Sequence, residues 1–112
     1  MIYAVFESEN CRLCRCTVKG HAGFADAGQD IVCAAVSSAV QLTANLITES
    51  FQEQADISAD DNLIRIILKQ PDSGSASLLL EGLFTHLQYI SEDYPKTITL
   101  KKSQIPEVEN NA

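Results

Sequence analysis

Asp30-Ile31-Val32-Cys33-Ala34-Ala35-Val36-Ser37-Ser38-Ala39-Val40-Gln41-Leu42-Thr43-Ala44-Asn45-Leu46-Ile47 opens a run, reaching to about Gln52, that holds neither Pro nor Gly. Val32, Ala35, Val36, Ala39, Leu42, Leu46 and Ile47 recur at helical spacing, so the run reads as one long amphipathic helix with these residues as its buried stripe. Asp30 stands at its head as an N-cap candidate, whose carboxylate accepts hydrogen bonds from the first turn. Ala34, Ser38 and Ala44 fall on the other side, small enough for a second helix to approach.

Upstream of this helix, Gly20, Gly23 and Gly28 interrupt any regular pattern, and the segment from Gly20 to Gln29 reads as a loop. Ile2 to Glu7 and Leu13 to Lys19 read as a hairpin joined at Ser8-Glu9-Asn10. In the second of these strands Cys14, Cys16 and Val18 alternate with Arg15, Thr17 and Lys19, which places the cysteines on the inner face. Downstream, Gln54 to Ala59 and Leu63 to Lys69 form a second hairpin around Asp60-Asp61-Asn62, with the apolar second strand central in the sheet. Ser75 to Asp93 is a second helix burying Ala76, Leu79, Leu80, Leu83, Leu87 and Ile90, and Thr97 to Lys101 is a last strand.

The order β-β-α-β-β-α-β, with hairpins that require antiparallel pairing, gives an α+β class: a mixed or antiparallel sheet of about five strands covered by two main helices. At 112 residues this is one domain. It is expected over residues 1–102, with 103–112 as a polar, acidic tail. The N-terminus is apolar for only a few residues and lacks a basic flank, so neither a signal peptide nor a membrane span is expected there and the location is read as cytoplasmic.

Eight Lys and Arg against fifteen Asp and Glu leave a net charge of -7, which argues against direct nucleic-acid binding and for attraction of a basic polypeptide. Without a secretory signal Cys11, Cys14, Cys16 and Cys33 read as thiols. Cys11-x-x-Cys14-x-Cys16 lacks the second pair that structural zinc sites use, so no metal is expected.

The chemistry concentrates on two residues. Cys33 lies near the expected helix start, where unpaired N–H groups and the helix dipole favour a thiolate and backbone amides offer an oxyanion hole. His21 precedes it in the glycine loop, within reach as general base and acid. Asp30 either caps the helix or orients His21. Ser37 is one turn beyond Cys33 and faces the same pocket, and Phe24 is an aromatic in the loop placed either to touch substrate or to staple onto the core. Read singly, Cys33 is a small packing residue and His21 a solvated one; the pairing with a glycine loop is what points to catalysis.

Gly20-His21-Ala22-Gly23 followed by Asp30-Ile31-Val32-Cys33-Ala34-Ala35-Val36-Ser37 resembles the signature of the bacterial ribosomal-processing cysteine protease family, Prp. The resemblance implies a cysteine endopeptidase that removes an N-terminal extension from a large-subunit ribosomal protein. His21 and Cys33 match the family's catalytic pair, with Gly20, Asp30 and Ser37 matched around them. It further implies a homodimer, no cofactor or metal, and a loop from Ala22 to Gln29, including Gly23, Phe24 and Gly28, that orders over bound peptide. The competing reading is a noncatalytic ribosome-associated peptide-binding module in which Cys33 only packs. The Cys11, Cys14 and Cys16 cluster is foreign to the family pattern.

Overall fold

The computed structural model describes residues 1–20, 27–60, 62–72 and 74–105, residues 27–30 by backbone alone. Its elements follow the expected order: β1 (Ile2–Glu9), β2 (Arg12–Lys19), α1 (Ala27–Asn45), a π-helical turn (Leu46–Ser50), β3 (Ala55–Asp60), β4 (Leu63–Leu68), α2 (Ala76–Asp93) and β5 (Ile98–Gln104). The sheet order is β3-β4-β2-β1-β5. All neighbours are antiparallel except β1 and β5, so the sheet is mixed and the class is α+β. β4 is an interior strand as expected, but the middle place belongs to β2.

One face of the sheet carries Ile2, Ala4, Phe6, Leu13, Cys16, Val18, Ile66 and Leu68, and these form a single core with α1 and α2. Helix α1 contributes Val32, Val36, Val40, Ala44 and, at its end, Ile47; α2 contributes Ala76, Leu80, Leu83 and Leu87. Each large aliphatic side chain buried here contributes roughly 1.5–3 kcal/mol relative to its exposed state. Phe6 meets Phe84 edge to face at 5.2 Å, and the Lys102 ammonium sits 4.4 Å from the Phe84 ring centre.

Four details depart from the sequence reading. Helix α1 starts at Ala27, three residues earlier than expected, so Asp30 is its fourth residue and not its N-cap. Within the stripe, Leu42 is 60% exposed and Ala44 is buried, the reverse of their expected places. The buried line passes through Val36, Val40 and Ala44, and a residue two beyond Val40 is turned about 200° round the helix, into solvent. In β2 the pairing runs Glu7 to Arg15 and then Ser8 to Leu13, leaving Cys14 as a bulge. The extra residue turns Leu13 into the core, while Cys14 is buried as expected. Finally, β5 continues through Ser103 and Gln104, which were assigned to the tail. It pairs in parallel with β1 from Ile2 opposite Ile98 to Ser8 opposite Gln104, and backbone pairing needs no apolar side chains at an edge.

The β1–β2 turn is Asn10-Cys11, both left-handed with φ of 54° and 67°. This is the conformation that two-residue hairpin loops require, and it costs a cysteine more than it costs an asparagine.

At the other end of α1, the Thr43 and Thr48 hydroxyls donate to the carbonyls of Ala39 and Ala44 (2.8 and 3.0 Å), which satisfies the buried Thr43. The Phe51 N–H then reaches back five residues to the Leu46 carbonyl at 2.8 Å, the widened turn that closes the helix. Glu53 follows directly and caps α2 from a distance. Its carboxylate accepts the N–H groups of Ser75 (2.5 Å) and Ala76 (3.3 Å), a place the Ser75 side chain leaves vacant. Gly74 leaves room for it, because a Cβ there would run into that carboxylate. Glu53→Ala is therefore expected to lower stability by about 1–2 kcal/mol, read from the urea midpoint at unchanged slope.

Candidate functional site

Residues of α1, of β1 and β2, and of the β3–β4 hairpin enclose a cavity of about 130 Å³ beside the middle of α1. The helix supplies Cys33, Val36, Ser37 and Val40. Ile2, Val18 and Gly20 come from the edge where β1 begins and β2 ends, and Asp60, Asn62, Leu63 and Ile64 from the β3–β4 hairpin. Cys33 is half-buried, packing against the core on one side and opening to this cavity on the other. The i, i+4 spacing of Cys33 and Ser37 brings them to one wall, as the sequence spacing predicts, and Gly20 joins them there.

Gly20 is held on both sides. Its φ is +95°, its N–H donates to the Asn62 carbonyl at 2.9 Å, and a Cβ on it would lie 2.5 Å from the Met1 carbonyl oxygen. Only glycine meets both the angle and the space. The residue that follows is His21, so the point from which the chain reaches it is fixed by the Met1 carbonyl and the β3–β4 turn. His21, Gly23 and Phe24 themselves lie outside the described residues, as does the side chain of Asp30. Gly28, expected in the loop, is the second residue of α1.

The early start of α1 changes the electrostatics expected at Cys33. As the seventh helical residue it lies nearly two turns from the end, beyond the first turn where the dipole acts strongly. The unpaired amides of a helix are its first four, so those flanking Cys33 belong to the helical ladder and do not form the oxyanion hole inferred from sequence. Polar groups from elsewhere do reach the cavity: Ser37 with its hydroxyl, Asn62 and Asp60. The last two were read only as turn residues. They arrive because β4 pairs with β2 in the register Lys19 opposite Leu63, a long-range pairing with no local sequence signal.

The other cysteines have a different chemistry. None of the four is in a disulfide. Burial pushes the Cys16 thiol up to about 12, and burial followed by the nearby Glu9 raises that of Cys14, so both stay protonated near neutral pH. Cys11 is exposed on the hairpin turn. Among the described residues no three His, Cys, Asp or Glu side chains are grouped to hold a metal ion.

Residues 1–99 match the family model of the cysteine protease Prp. The chain is 35% identical over 83 residues to the ribosomal processing cysteine protease Prp of Staphylococcus aureus, covering 72% of this chain and 78% of that protein. It is 35% identical over 81 residues to the one from Bacillus subtilis, covering 67% and 72%. The crystal structure of the S. aureus protease in complex with a substrate peptide superposes with a TM-score of 0.84 at 28% identity, over 91% of this chain and 99% of that one. A second structure of it, carrying a covalently linked product peptide, superposes with a TM-score of 0.81 at the same identity and coverage.

Proposed function

This chain belongs to the family of the cysteine protease Prp and is a ribosomal-processing cysteine protease; from that premise we propose that it removes the N-terminal extension of a bacterial large-subunit ribosomal protein, with Cys33 as nucleophile and His21 as its base and acid. The observation that carries the residue assignment is the position of Cys33, a half-buried thiol opening onto a cavity whose other wall fixes the residue before His21. Cys14 and Cys16, held protonated by burial, are unsuited to attack.

In this reading His21 takes the Cys33 proton and Sγ attacks the carbonyl carbon of the scissile peptide. The C–N bond breaks as His21 returns the proton to the leaving amine, and the N-terminal fragment remains as a thioester on Cys33. A water that gives its proton to His21 then hydrolyses the thioester and releases the fragment as a carboxylic acid. Because Cys33 lies beyond the strong part of the helix dipole, its thiolate depends chiefly on His21. Ser37 supplies a hydroxyl on the same wall, and Gly23, Phe24 and Gly28 are assigned to recognition of the bound peptide. The net charge of -7 favours a basic polypeptide substrate.

The place of action is the cytoplasm, and the working unit is a homodimer. Supporting the dimer is the outer groove of about 550 Å³ between α1 and α2, where Leu42 and Leu78 are 60% and 68% exposed beside the small residues Ala35, Ser38 and Gly82. Sedimentation velocity checks it: a monomer at micromolar concentration contradicts the assignment.

The function itself is tested by incubating the extended ribosomal protein with the wild-type chain and reading intact masses. The expected result is loss of one discrete N-terminal fragment. Binding without any mass loss would instead make the chain a peptide-binding module.

A further inference from the structure

Strand β3 is one edge of the sheet, and among the described residues no strand lies beyond it. Its free backbone groups can be assigned from the ladder to β4. The Lys69 N–H donates to the Gln54 carbonyl at 3.2 Å, one position before Ala55 opposite Leu68. Bonded and non-bonded pairs alternate along an antiparallel ladder. Asp56, Ser58 and Asp60 therefore spend their N–H and C=O groups on β4, while Ala55, Ile57 and Ala59 turn theirs to the open edge. That edge leads to the cavity beside Cys33, which Asp60 and Asn62 line.

Resting on the protease reading above, we propose that the polypeptide substrate docks as a sixth strand on the edge of β3, bonded to the backbone of Ala55, Ile57 and Ala59, and so enters the Cys33 cavity extended. Addition of a strand to an open edge draws affinity from main-chain hydrogen bonds and leaves alternate side chains to be read by pockets. The choice of edge follows from position and charge. β5, the opposite edge, carries Lys101 and Lys102 and contributes nothing to the cavity. β3 carries Asp60 at the cavity mouth, and among the described residues no cation pairs with it. A basic polypeptide is thus the occupant that this edge suits.

The test separates docking from chemistry by using the Cys33→Ala variant and a peptide spanning the junction of the extension and the mature protein. Peptides N-methylated at one backbone amide at a time are titrated against it. The expected result is a period of two: methylation at alternate positions weakens binding about tenfold, and methylation between them has little effect. Placing Ile57→Pro in the same background removes one outward donor and spares the ladder to β4, and should weaken the unmodified peptide by a similar factor. A flat N-methyl profile overturns the proposal, and that readout stands even if the proline variant fails to fold. So does an Ile57→Pro variant that binds peptide normally but loses self-association, which would give this edge to a second copy. Failure of the wild type to cut a peptide that binds with the two-residue period would overturn the protease reading and leave the docking mode intact.

Discussion

Cys33→Ala is expected to lower the rate of cleavage by about ten-thousandfold or more, because in the proposed mechanism it removes the nucleophile and leaves only binding to assist hydrolysis. The loss should come with an intact fold. Cys33 packs on the core but is only half-buried, so exchanging a thiol for a hydrogen there costs at most about 1 kcal/mol. Cys16→Ala is the matched control: the same side chain is removed from a fully buried site, stability falls, and cleavage per folded molecule stays at the wild-type rate. Initial rates on the extended ribosomal protein, normalised by the folded fraction from denaturation curves, make the comparison. Retained cleavage by Cys33→Ala would remove this residue from the mechanism.

Gly20→Ala carries the second largest effect. A Cβ at this position meets the Met1 carbonyl at 2.5 Å, and the φ of +95° is one that alanine resists. The two penalties cannot be relieved together without moving either the start of β1 or the bond from Gly20 to the Asn62 carbonyl. A stability loss on the order of 2 kcal/mol follows from the strained angle alone. Catalysis should suffer more than stability does. His21, the proposed base, is the next residue, and a displacement of about 1 Å in a catalytic group is enough to lower kcat/KM about a hundredfold. The signature is therefore a folded protein with a depressed kcat. A variant that melts earlier and cuts at the wild-type rate would show that Gly20 serves the fold alone.

The parts of this molecule that were legible in sequence are those whose physics is local. Both helices announce themselves by apolar spacing, and the Cys33 and Ser37 pair lands on one cavity wall because helical periodicity leaves it no alternative. Gly28 misled the reading of where α1 begins. A glycine is a breaker in the interior of a helix but is tolerated in its first turn, and the shift of three residues removes both the cap assigned to Asp30 and the amides assigned to an oxyanion hole. What the sequence hid is non-local. The bulge at Cys14 depends on how β2 meets β1, and the parallel pairing that draws Ser103 and Gln104 into β5 joins the two ends of the chain. The arrival of Asp60 and Asn62 beside Cys33 requires β4 to settle against β2. Glu53 capping α2 across a strand pair is of the same kind.

The acyl-enzyme tests the central assignment most directly. The protein is mixed with a peptide spanning the junction of extension and mature sequence, quenched in acid within the first turnover, and its modified residue mapped by tandem mass spectrometry. One adduct is expected, the N-terminal fragment less one water, on Cys33. The same fragment on Cys11, Cys14 or Cys16, or cleavage that proceeds with no adduct on any cysteine in wild type and in Cys33→Ala alike, would contradict it.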